Sequence, residues 1–385
     1  MKNLMSFFYS LILISMIAFP KSGFAIGSTP INSITLLIIL LFPILLLSYL
    51  NNINYKNFLN YSDIYFIMLL PFYFVFFTIT LSNGFEELSS YLGFIFSLIV
   101  SPLFFLFLFK FIDNKTIIKN KNIIIYCIRF VSIYGLILFS YKFLTNSFFE
   151  IPGLTTTFGA AVELEEKMND RGGIFKLFST YNNGNLYGLS VGMLFPLYTF
   201  LEKNKIFIII VFLSLILTFS RTIWFILSIY FIYHAIFMSK FNPIKIIIGV
   251  LSLLLFGIII NLTLSFLGYN SNFLFDTSLG GRADSLKELS FELYSTKPFI
   301  NTSEIPYLTI LYSLGVIGIP LFLMYFSNII INFKLLLSSK NSIRKSATLG
   351  SILYFFACFS DAAIIYIPVF IIFMFVTFLS LKPEK

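Results

Sequence analysis

The chain has 385 residues, of which 58% are hydrophobic and 11% charged, and phenylalanine alone occurs 52 times. A soluble globular chain carries about 25% charged residues, so this one lacks the polar groups to cover a water-facing surface, and a soluble enzyme is excluded. The formal net charge is +9, yet the basic residues form no groove or helix stripe of the kind that binds nucleic acid.

Twelve apolar stretches follow one another, near 4–20, 30–50, 63–82, 91–111, 122–145, 184–201, 206–220, 222–238, 244–268, 305–331, 347–361 and 364–381. A helix that crosses a bilayer needs about 20 mostly apolar residues. The pattern predicts an all-α integral membrane protein, a single polytopic domain over 1–385 built as a bundle of about 12 transmembrane helices. The first stretch also has the look of a secretory signal, with Lys2 before it and Gly23-Phe24-Ala25 after it.

Lysine and arginine set the orientation, because short cytoplasmic loops carry an excess of them. With the N-terminus in the cytoplasm, sixteen of the 26 fall on the cytoplasmic side and eight outside, leaving Arg129 and Lys142 inside a span. Both termini are then cytoplasmic. Two larger loops, about 146–183 and 269–304, are external, and most carboxylates, Glu304 and Asp361 included, fall on the outer side.

Cys127 and Cys358 both lie in apolar runs, which gives neither a disulfide framework nor a metal site. Only five of the basic residues are arginine, and Arg171, Arg221 and Arg282 all fall outside the cytoplasm. A guanidinium binds phosphate through a planar fork of donors and stays charged when half buried, so the trio suits a diphosphate. Arg221 sits in a brief polar break, Leu217-Thr218-Phe219-Ser220-Arg221-Thr222, where an ionisable group marks a cavity or snorkels to the interface.

Gly280 to Tyr294 reads as a short amphipathic helix on the outer surface, with Leu286, Leu289 and Leu293 at helical spacing and Arg282 in its first turn. Arg171 to Gly188 is a Gly- and Asn-rich loop running into a span. Its Asn182, Asn185 and Tyr187 offer amides and a ring to carbohydrate, although a turn and a helix cap would use the same residue types. The only histidine, His234, lies about 20 Å from Arg221 along a helix, toward the cytoplasmic end, and reads as structural.

Three stretches carry a family resemblance. Arg171 to Gly188 is similar to an Arg…Asn-x-x-Gly run, Thr218-Phe219-Ser220-Arg221 resembles a Thr-x-Ser-Arg break, and Gly281-Arg282 through Leu314-Gly315-Val316-Ile317-Gly318 resembles an external loop followed by a Gly-x-x-Gly span. Together, over roughly 150–330, they resemble the O-antigen polymerase and ligase superfamily, Wzy-type polymerases among them. The resemblance implies inverting, metal-independent glycosyl transfer without a cofactor, at the outer face of a bacterial cytoplasmic membrane. Donor and acceptor would be glycans on undecaprenyl diphosphate, for O-antigen or capsule-type polysaccharide, with a chain-length regulator as a further partner beside the bilayer. Diphosphate binding is carried over to Arg171, Arg221 and Arg282. Ligases of the superfamily place a His-Asn or similar pair about eleven residues before the Gly-x-x-Gly, where this chain has Glu304. That favours a polymerase over a ligase and makes Glu304 a hypothetical general base. The rival of another class is a lipid-linked oligosaccharide flippase, which would need charges lining a path through the membrane.

Overall fold

Uncharged runs of Leu, Ile, Phe and Val satisfy their backbone polar groups within one segment by coiling into helices, and helices dominate this chain. The computed structural model describes residues 2–26, 29–51, 60–145, 147, 149–158, 170–171, 174–238, 258, 265, 291–300, 305–338, 342–361, 363–364 and 366–383. Helix α1 (Lys2–Ile17) leads into a hairpin of β1 (Gly23–Ile26) and β2 (Thr29–Asn32). Then come α2 (Ser33–Asn51), α3 (Tyr61–Asn83), α4 (Leu88–Phe111) and α5 (Lys121–Thr145). A second small hairpin, β3 (Asp170–Arg171) with β4 (Ile174–Phe175), precedes α6 (Gly184–Leu201), α7 (Lys205–Ile216) and α8 (Arg221–Tyr233). The C-terminal part holds α9 (Pro306–Leu314), α10 (Gly318–Leu323), α11 (Ser327–Ile331), α12 (Ile343–Ala357) and α13 (Ile367–Leu381).

Among the described residues, four helical stretches are long and apolar enough to cross a membrane: Ser33–Asn51, Tyr61–Asn83, Leu88–Phe111 and Asn114–Thr145. The 23 residues of α3 extend about 34 Å at 1.5 Å per residue, a match to a hydrocarbon core of about 30 Å. Its two faces differ in neighbours and not in polarity. Tyr65, Leu69, Phe72 and Phe76 are buried, while Ile67, Leu70, Phe74 and Leu81 are exposed, Leu81 by 81%. A helix apolar all round belongs in a core or a bilayer. Comparable exposed stripes run along α2 (Ile39, Leu40, Ile44, Leu47) and α5 (Phe130, Ile133, Ile137, Leu144). Water does not tolerate patches of that extent on a monomer, and lipid does.

Inside this apolar rim stand α6, α12 and α13. Every residue of α13 from Pro368 to Leu381 is buried, and α12 packs against both α6 and α13. Close approach is made possible by glycine. A Cβ on Gly188 of α6 would lie 2.4 Å from Cγ1 of Ile223 on α8, one on Gly192 would lie 2.9 Å from Cδ1 of Ile226, and one on Gly350 of α12 would lie 2.3 Å from the Met193 carbonyl oxygen. Small residues four apart let helix backbones pack at short range within a membrane.

Several polar groups between helices are paired. Tyr65 donates to the Tyr325 carbonyl at 3.0 Å, and Tyr325 donates to the Leu98 carbonyl at 2.7 Å. Leu98 belongs to a π-helical turn, Phe96–Val100, within α4, and such turns loosen the regular ladder of carbonyls. Arg129, unpaired in the sequence reading, meets Glu202 at the end of α6 with Nη2 2.6 Å from Oε2. Asp63 and Lys110 pair at 2.5 Å. At the same end the Lys382 amine donates to the carbonyls of Phe109 and Ile112 beyond the last turn of α4.

Two expectations are corrected. The apolar stretch 305–331 is not one span, because α9 stops at Leu314 and Gly315 turns with φ 82°. The segment 292–294 lies directly over that turn: Glu292 and Leu293 accept from the Val316 and Ile317 amides at 2.9 and 3.1 Å. A Cβ on Gly315 would lie 2.6 Å from the Tyr294 Cα. For the same reason the predicted amphipathic helix does not reach Tyr294, since residues 291–294 are irregular; residues 280–290 of it lie outside the described residues.

Gly188→Ala should lower stability by about 1–3 kcal/mol through overpacking, and Ile223→Ala in the same chain should restore part of it, as read by thermal melting in detergent. Lys382 gives a pH signature. Burial pushes its amine down to about 8 from an ordinary 10.5, with Asp113 opposing the shift. The unfolded chain therefore holds more protons between those values, and stability relative to Lys382→Met should rise with pH from about 8 to 10.5 and stay flat below 8.

Candidate functional site

Three turns meet at the end of the bundle where α6 and α8 begin and α12 finishes. The first, 176–183, joins β4 to α6. Its Leu177 amide donates to the Leu217 carbonyl at 2.9 Å, Tyr181 donates to the Ile17 carbonyl at 2.9 Å, and Ser179 donates to the Val131 carbonyl at 2.5 Å. The Asn183 side chain caps α6, accepting from the Asn185 amide at 2.8 Å. The second turn, 217–220, is the polar break before Arg221. The third, 358–366, follows α12, and Thr222 and Ser360 join it to the second with hydroxyls 2.7 Å apart.

All four non-glycine residues with positive φ among the described residues lie in these turns: Ser179 (53°), Asn182 (58°), Phe219 (47°) and Ala363 (46°). Left-handed backbone is unremarkable for asparagine and costly for a bulky side chain such as Phe219. Such strain, of order 1–3 kcal/mol per residue, persists only where the surroundings over-determine it and gathers at functional sites.

Two charged side chains are buried where the turns meet, Lys176 at 3% exposure and Asp361 at 4%. Asn185, in the first turn of α6, bridges them. The Lys176 amine donates to its Oδ1 at 3.4 Å, and its Nδ2 donates to Asp361 Oδ2 at 2.7 Å. An amide is the side chain able to do both, since its oxygen accepts from a cation and its nitrogen donates to a carboxylate. Burying charges of either sign without such partners would be prohibitive. The Lys21 amine stands over the Tyr366 ring, 4.1 Å from its centroid, and adds a cation at the mouth of the third turn. The arrangement offers fixed positive charge for an anion and a carboxylate able to take a proton.

The residues singled out from sequence are distributed unevenly. Arg221 is the first residue of α8, half-buried; the residue after it contacts the residue before Asp361. Asn182 is buried in the first turn, and Asn185 is the bridge. Arg171 lies in β3, paired in register with Ile174 of β4, the strand that leads into the first turn. Tyr187 is set apart. Its side chain is fully buried, with its hydroxyl 3.0 Å from Ser132 Oγ and 2.6 Å from Ser214 Oγ, so it ties α6 to α5 and α7. Arg282 and Glu304 lie outside the described residues. Lys176 and Asp361 were not singled out, although a carboxylate between two apolar runs is itself a signal of a working site.

Comparison with known proteins finds no family model, curated protein or solved structure that matches the chain.

Asn185→Leu should leave the buried Asp361 carboxylate short of a donor and cost about 1–3 kcal/mol; Asn185→Leu with Asp361→Leu should be less damaging than the single changes predict by addition, a coupling visible in a double-mutant melting cycle.

Proposed function

We propose that the chain is a membrane glycosyltransferase that joins undecaprenyl-diphosphate-linked oligosaccharide repeat units, as Wzy-type polymerases do. It would work by inverting, metal-independent transfer at the outer face of a bacterial cytoplasmic membrane, within a bundle of about twelve spans. One observation supports the reading above the others: the buried Lys176–Asn185–Asp361 chain beside Arg221, at the end of the bundle that the lysine and arginine bias assigns to the outside.

The chemistry asks for both signs of charge. The acceptor hydroxyl gives its proton to a carboxylate, and its oxygen bonds to the anomeric carbon of the donor. As that bond forms, the bond from the anomeric carbon to the diphosphate breaks on the opposite face, with its electron pair leaving on the diphosphate. Arg221, Arg171 and Arg282, together with Lys176, hold the leaving diphosphate as its charge develops, which is where fixed cations lower a barrier most. Asp361 joins Glu304 as a candidate base. Asn182 and Asn185 remain the amides nearest a glycan, while Tyr187 leaves that set because its hydroxyl is engaged between helices.

The test is glycan length in cells lacking their own copy, complemented with wild type, Arg221→Ala, Arg282→Ala, Asp361→Asn or Glu304→Gln, with membrane abundance measured in parallel. The deletion should leave single repeat units on the surface. Normally abundant arginine and Asp361 variants should fail to restore the ladder, a general base being worth about 10²–10⁴ in rate. Accumulated long lipid-linked polymer with no surface glycan would make the chain a ligase. Unpolymerised units retained on the cytoplasmic side would make it a flippase and remove the site.

A further inference from the structure

At the end of the bundle opposite the three turns, α6, α8 and α12 leave a cavity of about 80 Å³ between them. One water takes about 10–15 Å³ by that kind of measure, so a group of several heavy atoms fits. Thr199, Tyr230, Tyr233, His234, Lys345 and Ser346 give it polar walls, and no carboxylate among the described residues lines it. Along α8 it lies twelve to thirteen residues from Arg221, about 20 Å at 1.5 Å per residue, and is separate from the first site.

Lys345 is the informative residue. It is 2% exposed, and its amine donates to the Ser338 carbonyl and lies 5.8 Å from the Tyr233 ring centroid. No carboxylate among the described residues pairs with Lys345. A buried ammonium without a counterion is costly, and an anion in the cavity would supply one. Other features favour negative charge at the same place. Ser346 lies in the first turn of α12, whose N-terminus carries the positive end of the helix dipole. His234 opens a π-helical turn, His234–Met238, on the cavity wall. Beside it on the helix surface Phe231, Ile232 and Phe237 are exposed apolar side chains, where a lipid tail would lie.

We propose that this cavity binds the phosphate of an anionic lipid headgroup, with Lys345 as its counterion and His234 and the tyrosine hydroxyls around it. The proposal is independent of the glycosyl-transfer reading. Basic pockets between helices at the cytoplasmic side are a recurrent way to hold such headgroups.

The experiment is thermal melting of the full chain in a neutral detergent, titrated with short-chain phosphatidylglycerol, short-chain phosphatidylcholine or inorganic phosphate. Phosphatidylglycerol should raise the melting temperature saturably and phosphatidylcholine should not. Lys345→Arg should keep the response, and Lys345→Met should weaken apparent affinity at least tenfold. Ser346→Leu keeps the lysine and fills the cavity, so it should abolish the response even if Lys345→Met folds poorly. A rise with inorganic phosphate alone, equally sensitive to Lys345, would overturn the lipid and leave a soluble anion as the ligand. Equal response to both lipids, or one indifferent to Ser346→Leu, would overturn the site.

Discussion

The short distance between the backbone of α6 and its neighbours is the constraint on which the rest of the molecule depends. Gly188 and Gly192 let α8 come against α6, and Gly350 lets α12 do the same. Within lipid there is no hydrophobic gain in putting one apolar helix on another, so packing contact and hydrogen bonding must hold them together. That closeness fixes where the ends of the three helices fall. It brings Thr222 to Ser360 and Asn185 to Asp361, and at the far end it frames the cavity beside Lys345.

The bundle is therefore apolar in its length and polar at its ends. Many hydrogen bonds between helices join side chains far apart in sequence, such as the Asn328 amide to Ser351 and Ser380, each at 3.0 Å. They involve neutral groups, which a low-dielectric interior accepts when they are paired. Charges are kept to the ends and given partners there. The strained turns fit the same division: α-helices carry the stability, and the three turns between them hold Phe219 and Ala363 in backbone conformations that neither would adopt alone.

Much of this was legible from sequence, and the part that was not has a definite cause. Apolar runs located α1 to α8, α12 and α13 to within a few residues, because a helix in lipid needs only length and apolarity. The same criterion missed the break at Gly315, where a backbone crossing by residues 292–294, and not hydropathy, ends α9. The Asn182–Gly188 stretch was readable as a capped helix start with amides near it. Its partner Asp361 lies 176 residues from Asn185, and nothing local in sequence pairs the two. Their meeting follows from glycine contacts between three helices. Tyr187 shows the converse, since an aromatic among asparagines looks like a sugar-binding residue until the hydroxyls of α5 and α7 are placed around it.

The position of α13 has a consequence for how the protein is made. It is the last described helix to leave the ribosome, yet it occupies the centre, buried from Pro368 to Leu381. The earlier helices are therefore synthesised before the helix that their inner faces pack against. Tyr9 of the first helix packs near Phe375 of this last one, with ring centroids 6.5 Å apart, so closure joins the two extremes of the described chain. Chains cut short before residue 367 would lack the helix against which α1, α4, α6 and α12 pack.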